Sequence, residues 1–390
     1  MANKPAAVQE KDNLLDYIYK FGMFSFAQLP FTLNDSLVFS AIAYLSFEDV
    51  SLKEGDSVNS LCCKLTGRFN YREKMLPFKR SLTYLIMALI SSERYSHFII
   101  KKAYSYLSKE KKIQYASLAM AYKDTLIVSF RGTDNTIIGW HEDFNLACYN
   151  SLYSQDIAAD FLKESIESGR YKNVYVCGHS KGGNLALASA CKIDKKYQKK
   201  ITNVFPIDAP GLSESMFKSE GRERIKDKVV TIVPVDSFIG TLLLTEKASH
   251  VVKAYPKNDI FAQHSVFALE TMETGLYDVE DRSPLSYYIE DSVEEFLSTT
   301  LATFDERREF VDEVFSVIDA MEYKNFDEIF KNPTSFVTKF LFLNGDKYDS
   351  QKKKKLLSTL KEFIGCFTKR LPKFKKDNEE FQKRFWGKDE

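Results

Sequence analysis

The chain has 390 residues, 44% of them hydrophobic and 28% charged, with a formal net charge of +1. That balance fits a globular protein with a large core and excludes both a disordered chain and a strongly basic nucleic-acid binder. No run approaches about 18 uncharged apolar residues, and Met1 to Asn13 lacks an apolar signal region, so neither a membrane span nor a signal peptide is expected and a cytoplasmic location is the default.

In chain order, residues 1–112 read as an N-terminal helical segment packing on a core. Asn13 to Lys20 carries Leu14, Leu15, Ile18 and Tyr19, Asn34-Asp35 offers a cap for a second helix, and a third apolar segment, Leu82 to Ile90, runs on towards Ile100. Residues 113–284 switch to strands alternating with helices. Tyr115 to Tyr122 and Thr125 to Phe130 form a predicted hairpin around Lys123-Asp124, followed by strands at Asn173 to Cys177, Val204 to Ile207, Val229 to Val233 and His250 to Ala254, and a helix over Gly183 to Tyr197. Short, nearly all-apolar strands separated by helices predict an α/β fold with a mostly parallel sheet flanked by helices. Residues 285–390 return to helix, as an addition able to cap the core within one compact unit.

Charge is uneven along this last third. Residues 269–330 hold 18 acidic and 4 basic side chains, and residues 352–384 hold 12 basic and 4 acidic. The favoured reading is that two oppositely charged helical segments lie together. The competing one lays Lys352 to Lys355 and Trp386 on anionic lipid as a peripheral membrane contact. The six cysteines have no CxxC spacing and read as small core residues.

The chemistry concentrates at Gly178-His179-Ser180-Lys181-Gly182-Gly183, between a buried strand and a helix rich in small residues. A sharp turn there lifts a serine hydroxyl above the sheet edge, glycines relieve crowding, and the helix aims amides at a developing oxyanion. A nucleophilic serine needs a base and an orienting carboxylate, following in the order Ser, Asp, His. Of the five histidines only His250 and His264 come after Ser180. His250 starts an apolar strand, so His264, in the loop beyond it, is the expected base. Two acids end neighbouring strands, Asp208 and Asp236; strand counting favours Asp236, leaving Asp208 as a turn residue before Pro210-Gly211. The amide of Lys181 and that of Thr133, in Phe130-Arg131-Gly132-Thr133, are the expected oxyanion donors. Asp143 is expected to hold Arg131. Adjacent residues such as His141-Glu142-Asp143 cannot converge on one ion, so no metal or other cofactor is expected.

Ser-Phe-Arg131-Gly132-Thr133, the GHSKGG run and the late Asp and His resemble the class 3 (fungal-type) lipases. The Leu14-Asp16-Tyr17 and Asn34-Asp35 opening, Asp208-Ala-Pro-Gly and Gln263-His264-Ser265 resemble more closely the Mbeg-type bacterial lipase-like proteins. The resemblance covers residues 11–270. It implies an α/β-hydrolase fold and a serine hydrolase cleaving carboxylic esters through an acyl-enzyme on Ser180, with Asp236 and His264 as partners, Thr133 and Lys181 as oxyanion hole, and a small-molecule or lipid ester as substrate. Where those lipases often have an apolar residue after the serine this chain has Lys181, whose side chain is expected to favour a polar or anionic substrate group over a plain triglyceride. Two alternatives are a phospholipase acting at anionic membranes and a catalytically silent interaction module on the same scaffold.

Overall fold

The protein is described by a computed structural model covering residues 12–66, 79–257, 259–321, 323, 325–331, 333–342 and 349–386. Helices α1 (Leu14–Phe21), α2 (Leu33–Ile42), α3 (Val58–Thr66), α4 (Lys79–Ile90) and α5 (Glu93–Ser96) come first. The cap of α2 is Thr32 rather than Asn34-Asp35: Asp35 reaches back to the Thr32 amide at 2.7 Å, closing a capping box.

Among the described residues seven strands form one sheet in sequence order: β1 (Ile99–Ser108), β2 (Ile113–Tyr122), β3 (Thr125–Phe130), β4 (Asn173–His179), β5 (Asn203–Ile207), β6 (Ile232–Pro234) and β7 (His250–Val252). β1–β2–β3 are antiparallel and β3 to β7 parallel. The expected hairpin is present. β1 corrects the expectation of a helical opening through residue 112. Its Lys101-Lys102 and alternating Tyr104 and Tyr106 make a half-exposed edge strand, a pattern too polar to read as core. Val229 only bridges Val204, so β6 begins later than expected, at Ile232.

The parallel connections carry α6 (Ile137–Asn145), α7 (Tyr153–Glu167), α8 (Lys181–Lys192), α9 (Lys195–Gln198), α10 (Glu214–Phe217) and α11 (Glu220–Ile225). The helix expected over Gly183 to Tyr197 is split, because Ile193 turns extended before Asp194 opens α9. α12 (Ile260–Gln263) follows β7, and α13 (Pro284–Thr299), α14 (Phe304–Ala320), α15 (Phe326–Lys331), α16 (Pro333–Phe342) and α17 (Ser350–Phe385) complete the chain.

Alternation along the strands divides the core between two faces. Ile127, Cys177, Phe205 and Ile207 pack with Leu14, Tyr17, Leu37, Phe39 and Leu85, so the N-terminal helices form one whole layer. Val128, Val174, Val176 and Val204 pack with Phe161, Leu162, Leu185 and Ile225 on the other. α14 packs on α6, with His141 stacked on Phe315 at 4.0 Å. The oppositely charged segments do lie together: Lys352 pairs with Glu313 at 2.7 Å, Lys369 with Glu295 at 2.9 Å, and Lys355 with Glu309. Among the described residues no helix is long and apolar enough to cross a membrane.

Candidate active site

Ser180 stands between β4 and α8 with φ 58° and ψ −133°, a strained backbone for a residue bearing a side chain. Its neighbours explain why the strain persists. A Cβ on Gly178 would meet the Gly182 carbonyl at 2.2 Å, and one on Gly182 would meet the Phe130 carbonyl at 2.2 Å. Only glycines let the turn close this tightly against the loop after β3. The Ser180 amide donates to Ile207 O at 2.9 Å, tying the turn to the end of β5.

One residue further along that strand end, Asp208 has φ 39° and is buried. Its Oδ2 lies 2.6 Å from His264 Nδ1, while Oδ1 accepts from Ser237 Oγ at 2.5 Å and Gly240 N at 3.0 Å. The carboxylate paired with His264 is therefore Asp208, which corrects the expectation of Asp236. Asp236 lies in the turn just beyond β6 and forms a two-way amide clamp with Gln263: its Oδ2 accepts from Gln263 Nε2 at 2.6 Å and its amide donates to Gln263 Oε1 at 3.2 Å. Strand counting misled because β5 lies directly beside β4, so the first acid after the serine already sits at the sheet's C-terminal edge next to the turn. His250 is held in β7, with Nδ1 2.8 Å from Asp278.

His264 follows the single turn of α12, keeps 18% side-chain exposure, and stacks obliquely on His179 with ring centres 4.6 Å apart. His179 itself is buried between Tyr44 OH, 2.9 Å from Nδ1, and the His264 carbonyl, 2.5 Å from Nε2. Burial first, and the neighbouring His264 second, push its pKa down to about 3. A neutral ring must then donate from Nε2 to the carbonyl and accept at Nδ1 from Tyr44. His179 and Tyr44 thus brace the segment that carries His264, and neither was signalled as such by the sequence.

The loop after β3 abuts the Ser180 turn: a Cβ on Gly132 would meet His179 O at 2.6 Å. Thr133 follows, and its hydroxyl donates to Asp143 Oδ2 at 2.5 Å. Burial, its largest cause, raises the Asp143 pKa to about 7 against the lowering effects of Lys181 and the Thr133 hydroxyl. Arg131 does not rely on Asp143. It forms a two-pronged pair with Glu48 at 2.8 and 2.9 Å and donates to Ala43 O and Leu45 O. The Lys181 side chain is turned away from solvent, 1% exposed, and bonded to Glu142 and Gln114, which corrects the expectation that it meets substrate. His141, Glu142 and Asp143 diverge towards Phe315, Lys181 and Thr133 respectively. Phe238 lies 6.5 Å from the His264 ring and edge-on to the exposed Phe261 at 5.5 Å, giving the site an aromatic flank.

Among solved structures, the chain is similar to M37 lipase at 16% identity over 56% of this chain and 75% of that one, with a TM-score of 0.35. It is similar to the lipase from Rhizopus microsporus var. chinensis at 12% identity over 66% and 82%, TM-score 0.34. The Rhizomucor miehei lipase in its propeptide complex matches at 15% identity over 62% and 72%, TM-score 0.32. No curated protein matches the chain. The profile of the Mbeg1-like family matches residues 89–316, which include Ser180, Asp208 and His264, and the chain belongs to the Mbeg1-like family.

Proposed function

We propose that the protein is a serine hydrolase of carboxylic esters, with Ser180 as nucleophile, His264 as base and Asp208 as the orienting acid. The observation that carries this reading is the 2.6 Å bond from His264 Nδ1 to a buried carboxylate fixed by two further donors, set beside a serine in a strained glycine-flanked turn. With Nδ1–H donated to Asp208, His264 presents Nε2 as a base. It takes the Ser180 proton as Oγ attacks the ester carbonyl, then returns it to the leaving alcohol; water releases the acyl group by the same steps reversed. The amides of Lys181 and Thr133 receive the oxyanion. The Thr133 hydroxyl joins them when Asp143 is protonated, because the neutral acid then donates to Thr133 Oγ1 and frees its one hydrogen. The aromatic flank of Phe238 and Phe261 supports an apolar acyl substituent.

The test is labelling by a fluorophosphonate probe together with turnover of an ester series of rising chain length. The native protein is expected to label and turn over, and Ser180→Ala to do neither. Labelling that survives Ser180→Ala removes Ser180 from the reaction.

A further inference from the structure

Every hydrogen of the Lys181 ammonium group is used inside the protein. Nζ donates to Gln114 O at 2.7 Å, Gln114 Oε1 at 2.8 Å and Glu142 Oε2 at 2.7 Å, with Lys181 1% and Glu142 2% exposed. Glu142 Oε2 also accepts the Gln114 amide at 2.9 Å. Gln114 Oε1 in turn accepts the Asp134 amide at 3.4 Å, one residue after Thr133. A single buried ammonium therefore links the backbone of Lys181 to the backbone beside Thr133.

Building upon the hydrolase reading, we infer that the Lys181–Glu142 ion pair, bridged by Gln114, is a positioning device that holds the two halves of the oxyanion hole in register. The two amides belong to different elements, the first turn of α8 and the loop before α6, and each lies three residues beyond Phe130↔Gly178, the last pair of the β3–β4 ladder. The pair spans that gap from behind. Stability alone does not account for it, since a buried ion pair is commonly matched or exceeded by apolar residues of similar volume. Glu142 Oε1 is also buried with no hydrogen-bond partner among the described residues, a cost an apolar contact would avoid.

The pair also sets the field at Asp143, which supplies a readout that a purely structural role would not move. Asp143 is faced by Lys181 from α8, by Glu142 on its own helix, by Asp134 and Thr133 from the loop, and by Tyr44 from the turn after α2. Lys181 favours its ionised form; Glu142 and Asp134 disfavour it. Activity is expected to fall with rising pH as Asp143 ionises near 7 and captures the Thr133 hydrogen. Removing the positive neighbour moves that limb to higher pH, and removing the negative one moves it lower.

The experiment measures kcat and KM for one chromogenic ester from pH 5 to 9 in the native protein, K181M, E142Q and K181M/E142M, with Tm alongside. K181M is expected to lose about 10- to 100-fold in kcat, the scale of a 1 Å misplacement, with KM nearly unchanged. Its alkaline limb should move up, and that of E142Q down. Should K181M fail to fold, the double variant, which leaves no unpaired buried charge, is expected to show the depressed kcat with its limb near the native position. A lowered Tm with kcat and both limbs unmoved overturns the inference. If the native protein itself neither turns over esters nor labels at Ser180, the hydrolase reading falls, and the inference with it; an active native protein with unaffected variants sinks the inference alone.

Discussion

Asp208 and Asp236 are both buried acids at the C-terminal ends of adjacent strands, and their partners separate them. Asp208 holds an imidazole; Asp236 holds the side chain of Gln263, the residue before that imidazole. Asp208→Asn is expected to cut kcat by about 10⁴-fold, the scale for a base left in the wrong tautomer, while Asp236→Asn costs far less in kcat and shows mainly as a lower Tm. Comparable kcat losses in both would contradict the assignment. Asp143 gives a pH prediction. Its folded pKa, about 7, lies above its unfolded value, so the folded state binds the proton more tightly. The stability this confers is complete below about pH 4 and is lost as pH rises through 7. Asp143→Asn keeps the neutral form at every pH, so its Tm advantage over the native protein is expected at pH 8 and absent at pH 4; an equal difference at both values rules this out.

The strand–turn–helix around Ser180 was the most legible element, because its glycines answer a local demand of the backbone. Gly182→Ala forces a Cβ into the Phe130 carbonyl. It should cost about 1–3 kcal/mol in urea unfolding and slow probe labelling, since the loop it pushes carries Thr133; unchanged labelling would free that loop from the oxyanion role. The hairpin and the apolar parallel strands were legible for the same reason, a short-range pattern with a short-range cause. β1 was not, since an edge strand with one wet face lacks the apolar run that marks its neighbours. Nor were the pairings of Arg131 with Glu48 or of His179 with Tyr44, which join residues 83 and 135 apart. Sequence spacing carries no information about which distant polar group will arrive at a buried one. The opening of Lys181 inward belongs to this class: the turn was readable, the direction of its side chain was not.

At the scale of the molecule, charge and core are organised differently. The basic α17 lies along acidic α13 and α14 through exposed pairs worth about 0–1 kcal/mol each, so neutralising Lys352 and Lys355 to Gln should lower Tm only slightly; a collapse of the fold would show these pairs to matter more than exposure allows. The sheet, by contrast, depends on segments far from it in sequence. The family match begins at residue 89, yet Leu14, Tyr17, Leu37 and Phe39 cover Ile127, Cys177 and Phe205. A fragment spanning 89–316 is expected to aggregate more readily than the whole chain under the same conditions; a monomeric, cooperatively folding fragment would refute this. The same layering bears on how the protein is made. The first four helices among the described residues have 8, 10, 9 and 12 residues, too short to persist alone in water. The strands that cover them, β4 and β5, leave the ribosome only after a further stretch of synthesis, on the order of ten seconds at bacterial or eukaryotic elongation rates. Through that interval the apolar residues of that layer, Leu37 and Phe39 among them, lack the strands that bury them, so the nascent N-terminal segment is expected to bind chaperones before any of the residues around Ser180 exist.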